Sequence, residues 1–94
     1  MERASKSLQW FLDLVGQEEE RVLIFLKELW PKIVGADLAR HTGPESLSKG
    51  VLTVRVPLGV WKAQLSEVRP EMVEAINRYW NRTIVKKIRL REDG

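Results

Sequence analysis

The segment Gly50-Val-Leu-Thr-Val-Arg-Val-Pro57 constrains the chain most, because Leu52, Val54 and Val56 alternate with Thr53 and Arg55. Period two places one set of side chains on each face of a strand, so one face must be buried and the other wet. Apolar residues on either side recur at steps of three and four, the period of amphipathic helices. A strand with one buried face between helical segments specifies an α+β domain.

Before the strand, Leu8, Phe11, Leu12 and Val15 fall at i, i+3, i+4 and i+7, and Gly16 is the expected stop of this first helix. A second helix is expected to start in Glu18-Glu19-Glu20, where acids favour the positive end of the helix dipole. It continues through Val22, Leu26 and Leu29, kinks or restarts at Pro31, and carries an apolar face of Ile33, Val34 and Leu38 toward Arg40. His41-Thr-Gly-Pro44 breaks it, and Gly50 marks a hairpin turn between extended pieces at 45–49 and 51–57. From Val60, the residues Trp61, Leu65, Val68, Met72, Ile76 and Trp80 restore helical spacing, with Pro70 predicting one kinked helix or two abutting ones. Ile84, Ile88 and Leu90 then alternate with Lys87 and Arg89 in a terminal strand with a cationic outer face. The predicted order is helix, helix, strand, strand, helix, strand, in a small antiparallel or mixed sheet covered on one face by helices.

Ninety-four residues at 44% apolar content support one core, so residues 1–94 are expected to form a single domain. The absence of cysteine excludes disulfides, thiol nucleophiles and zinc knuckles, and suggests a cytoplasmic protein. The longest apolar run, Val22 to Leu26, is far short of the ~20 residues that span a bilayer, and the N-terminus lacks a signal-peptide core. No membrane association is expected. Neither is catalysis: His41 is the only histidine, no metal-ligand spacing surrounds it, and a cap or loop hydrogen bond is its expected role. The serines lack a nucleophile elbow, and no phosphate-binding glycine loop occurs, so no cofactor or small-molecule substrate is predicted. Of the four tryptophans, Trp30, Trp61 and Trp80 occupy or adjoin core stripes, whereas Trp10 lies one position off its stripe.

Charge is divided along the chain. Residues 1–47 carry six cations against eight acids, and residues 48–94 carry ten against five. Between Ala75 and Arg91 stand Arg78, Arg82, Lys86, Lys87, Arg89 and Arg91, with no acid among them. These six are the candidate phosphate contacts.

Taken as one string, Trp30, Val34-Gly35, Leu38-Ala39, His41-Thr42, Pro44, Gly50-Val-Leu52-Thr-Val54 and Trp61-Lys-Ala-Gln-Leu65 resemble the DciA-like family, and Asn77 and the closing Ile-x-x-Ile-Arg strand fit as well. The resemblance implies a KH-like α+β domain that binds DNA and helps to load the bacterial replicative helicase DnaB. The matching residues are mainly core and turn positions, so they speak for fold before function. No two glycines are three apart, so the Gly-x-x-Gly clamp of nucleic-acid-binding KH domains is missing. DNA contact is therefore expected through Lys and Arg on phosphates, independent of base sequence and sensitive to salt. A protein-interaction module without nucleic-acid binding, and a KH-like RNA-binding protein, are the alternatives.

Overall fold

Two backbone decisions, one at Gly35 and one at the Lys49-Gly50 turn, set the architecture. The computed structural model describes residues 2–93, with side-chain surroundings from residue 18 onward. The elements are α1 (Glu2–Val34), α2 (Ala36–His41), β1 (Gly43–Ser48), β2 (Val51–Pro57), α3 (Trp61–Glu67), α4 (Arg69–Trp80) and β3 (Lys87–Asp93). Among the described residues the fold is α+β, with a three-stranded sheet and four helices.

The expected stop at Gly16 and restart at Glu18 do not occur, because α1 runs unbroken through both. A glycine inside a helix costs only about 1 kcal/mol relative to alanine, and the Gln17-Glu-Glu-Glu20 that follows is made of good helix formers. The chain instead breaks at Gly35, whose φ of 96° and ψ of 154° suit glycine and almost nothing else. Pro31 lies inside the last turn of α1, which ends three residues later. Two helices thus precede the sheet as predicted, divided at 35 rather than 16. The stripe residues Leu8, Phe11, Leu12 and Val15, and Trp10 beside them, have side chains outside the described residues.

Strands β1 and β2 form a hairpin with Ser48 opposite Val51, which leaves Lys49 and Gly50 as a two-residue turn. Both have positive φ, 53° and 80°, the twist a tight hairpin demands. Lysine rarely adopts this conformation, and here it is held from outside: Glu19 of α1 accepts the backbone N–H of Lys49 at 3.1 Å and of Gly50 at 2.9 Å. The carbonyl of Gly50 in turn accepts the N–H of Lys86 at 2.7 Å. One turn therefore ties α1, the hairpin and the entry to β3 together. β1 begins two residues before its predicted start, and its register shifts between Pro44 and Ser46. Because β1 is an edge strand, Pro44 is tolerated there.

β2 is central and pairs with β3 in parallel, giving a mixed sheet in the order β1-β2-β3. A parallel return needs a crossover, which α3 and α4 supply. They are two abutting helices, divided at Val68, and Pro70 sits in the first turn of α4, where its missing N–H costs nothing. α4 ends on Asn81 in the left-handed conformation, with φ 52° and ψ 36°. Ile84, expected in the last strand, lies in the connection before β3. That connection is held by Asn77, whose Oδ1 accepts the N–H groups of Ile84 and Val85 at 2.9 and 2.8 Å and whose Nδ2 donates to the Val85 carbonyl at 2.8 Å.

The core lies between the inner sheet face and the helices. Leu52, Val54 and Val56 of β2 and Ile88 of β3 pack against Val22 and Leu26 of α1, Leu65 of α3 and Ile76 of α4. Trp30 is buried, and its Nε1–H donates to the Thr42 hydroxyl at 3.0 Å, which donates onward to the Leu38 carbonyl at 2.7 Å. Trp61 and Trp80 are half-buried against the same core. The His41 ring packs against Trp61, with centroids 4.8 Å apart and the planes tilted by 35°, in place of the cap or loop hydrogen bond expected of it. No helix among the described residues is long and apolar enough to cross a membrane.

Candidate nucleic-acid interface

The six cations proposed from sequence are all exposed, but they do not form one site. α4 and the connection after it carry Arg78, Arg82 and Lys86, while β3 presents Lys87, Arg89 and Arg91 on alternate residues. Ile88 and Leu90 between them point into the core, so pleating turns the three cations to the uncovered sheet face.

Neutralisation divides the set. Arg91 binds Glu45 of β1 with two nitrogens, Nε donating to Oε2 at 2.7 Å and Nη2 to Oε1. This fork-to-fork pair crosses over β2 and holds the Glu45 carboxyl below the usual carboxylate range, chiefly through the hydrogen bond from Arg91, with smaller electrostatic help from Arg91 and Arg55. Arg82 pairs with Glu18 of α1. Arg78, Lys86, Lys87 and Arg89 have no acidic partner among the described residues. Uncompensated charge, the part able to release counterions from DNA, is thus concentrated on the α4-β3 connection and the first half of β3.

Two cations absent from the sequence-based set approach this region. Beside β3 on its unpaired side, a groove of about 550 Å³ is lined by Val51, Lys62, Ser66, Arg69, Lys87, Ile88, Arg89 and Leu90. Four of these are cationic and none is acidic. Lys62 leans toward Glu92, with Nζ 3.8 Å from Oε1, and Arg69 Nε donates to the Ser66 carbonyl at 3.3 Å. A run of cations in the chain pointed to β3, but nothing in the spacing of Lys62 and Arg69 indicated that the α3-α4 junction would bring them alongside it. Among the described residues, no group of histidine, aspartate and glutamate side chains converges in a way that would hold a metal ion.

A family model described as "Dna[CI] antecedent, DciA" matches residues 8–90. The chain is 31% identical over 65 residues to a UPF0232 protein of Bifidobacterium longum, an overlap of 69% of this chain and 42% of that protein. It is 33% identical over 67 residues to a UPF0232 protein of Streptomyces avermitilis, covering 69% and 37% of the two chains. A UPF0232 protein of Streptomyces coelicolor is 34% identical over 67 residues, covering 69% and 35%. The chain spans less than half the length of these relatives.

Proposed function

The chain belongs to the DciA family, and from that premise we propose that it is a non-enzymatic accessory protein of bacterial DNA replication that associates with the replicative helicase DnaB and contacts DNA through phosphates. The observation that supports the DNA contact is that, among the described residues, Arg78, Lys86, Lys87 and Arg89 form no ion pair, although Glu71 and Glu74 of α4 line grooves beside three of them. Arg82 and Arg91 also belong to the interface, but their carboxylate partners Glu18 and Glu45 offset their charge. The KH-like character implied by the family is compatible with an α+β unit, and the missing Gly-x-x-Gly loop supports a contact made by side-chain cations.

A cation that meets a phosphate displaces a counterion, so affinity falls as salt rises and does not depend on base sequence. The test is to mix the purified protein with the replicative helicase of its own organism and labelled DNA at two salt concentrations. A helicase complex together with salt-sensitive DNA binding is expected. Absence of binding to both components would sink the proposal, and preference for RNA in competition would move it to the RNA-binding alternative.

One observation favours a protein-interaction module. Leu58 and Val60, in the connection from β2 to α3, are 64% and 68% exposed beside the half-buried Trp61. Exposed aliphatic side chains next to an aromatic ring make an apolar contact surface. Salt-insensitive helicase binding, lost on replacing Leu58 and Val60 with serine and accompanied by no DNA binding, would select this second reading.

A further inference from the structure

The uncovered face of the sheet is polarised along its strands. Toward the carboxyl ends of β2 and β3, Arg91 is paired with Glu45, and Arg55 lies 3.4 Å from Asp93. Toward the hairpin turn, Lys87 stands opposite Val51 and Arg89 opposite Thr53; neither forms an ion pair among the described residues, and Glu71 and Glu74 share a groove with Lys87 on the α4 side. Across β2, Ser46 is opposite Thr53 and Ser48 opposite Val51. Ser46 and Ser48 are exposed, while Thr53 is half-buried between them and β3. Neighbouring strands lie roughly 4.8 Å apart, so hydroxyls and cations form adjacent rows on one surface. Lys49 and Lys86 add charge at the same end, the Lys86 stem lying over the Gly50 turn.

We propose that the hairpin end of this open face is a docking platform for the sugar-phosphate backbone of duplex DNA. Lys87 and Arg89 neutralise phosphates, while Ser46, Ser48 and Thr53 donate hydrogen bonds to phosphate oxygens. The proposal rests on the DNA-contacting reading above and adds the face, the hydroxyl donors and the form of DNA. Hydroxyl, lysine and arginine groups are the usual donors to phosphate, and they fix position without reading bases. The ion pairs at the other end mark where the anion-binding surface stops. No residue of the three strands is aromatic, so unpaired bases gain no stacking partner on this face. What remains is backbone charge, and the duplex carries one charge per ~1.7 Å of its axis. A duplex is therefore held at least as tightly as a single strand.

The test measures binding of the full chain to labelled duplex and single-stranded DNA by fluorescence anisotropy across a salt series. Replacing the three hydroxyl residues together (Ser46→Ala, Ser48→Ala, Thr53→Val) should weaken duplex binding by about tenfold or more at every salt concentration, because three hydrogen bonds to anionic phosphate oxygens are lost. The slope of log affinity against log salt stays at its original value. Replacing Lys87 and Arg89 with glutamine should flatten that slope by about 1.8. Circular dichroism checks folding, and Thr53→Val alone, nearly isosteric and suited to a strand, repeats the test if the triple variant does not fold. Full affinity in the hydroxyl variant with weakened binding in the cation variant would remove the hydroxyl donors, and with them the platform, while leaving phosphate contact by Lys87 and Arg89 intact. Full affinity in both would remove the DNA reading as well. Tighter binding of single strands than of duplex would also contradict a platform without stacking groups.

Discussion

Single side chains hold the segments that carry the candidate site. Asn77 is the clearest case, since one amide makes three hydrogen bonds to the two residues that lead toward β3. Asn77→Ala leaves the backbone groups of Ile84 and Val85 without those partners and should destabilise the fold by about 2–4 kcal/mol, measured by urea denaturation. Glu45 gives a pH signature. Its carboxyl is held below its ordinary value by Arg91, so the stabilisation it contributes is complete above the unfolded carboxylate range, near pH 4.3, and is lost as pH falls through the lower folded value. Glu45→Gln should abolish that part of the acid-induced loss. Thermal melts from about pH 6 to pH 3 read this directly, as a smaller drop for the variant than for the parent.

At the scale of elements, the hairpin turn is a joint rather than a cap on two strands. A Cβ added at Gly50 would meet Lys86 Cγ at 3.0 Å, and φ of 80° is unfavourable for any L side chain. Gly50→Ala should therefore cost about 1–2 kcal/mol, seen as a lower denaturation midpoint. Much of this level was legible in the chain. β2 was readable to the residue because alternation is a property of the strand itself, and Pro70 announced the α3-α4 division. The α1-α2 division was misplaced because a glycine shows only that a break is permitted. Gly16 pays the small entropic cost of a helical glycine, whereas Gly35 uses a backbone conformation closed to other residues. The site was legible in part. The run of cations marked β3 and its approach, but the partners of Arg82 and Arg91 are contributed by Glu18 and Glu45, distant in sequence and joined to them only by the packing of α1 and the crossing of the sheet. Local spacing carries no trace of such a pairing.

For the whole molecule, one side of the sheet makes the core and the other remains open. The helices bury Leu52, Val54, Val56 and Ile88 on the inner face, which leaves the alternate residues of the same strands free to carry charge. The core and the candidate site thus lie on opposite parities of β2 and β3, and charge on the outer parity can be altered with little effect on the core. The central claim is that cations without carboxylate partners contact DNA and paired ones contribute little. It is tested most directly by the salt dependence of DNA binding in two charge variants. Lys87→Gln with Arg89→Gln removes two uncompensated charges and should flatten the slope of log affinity against log salt by about 1.8. Glu45→Gln with Arg91→Gln removes one ion pair at constant net charge and should leave the slope as it was. Equal flattening by both variants, or by neither, would contradict the account.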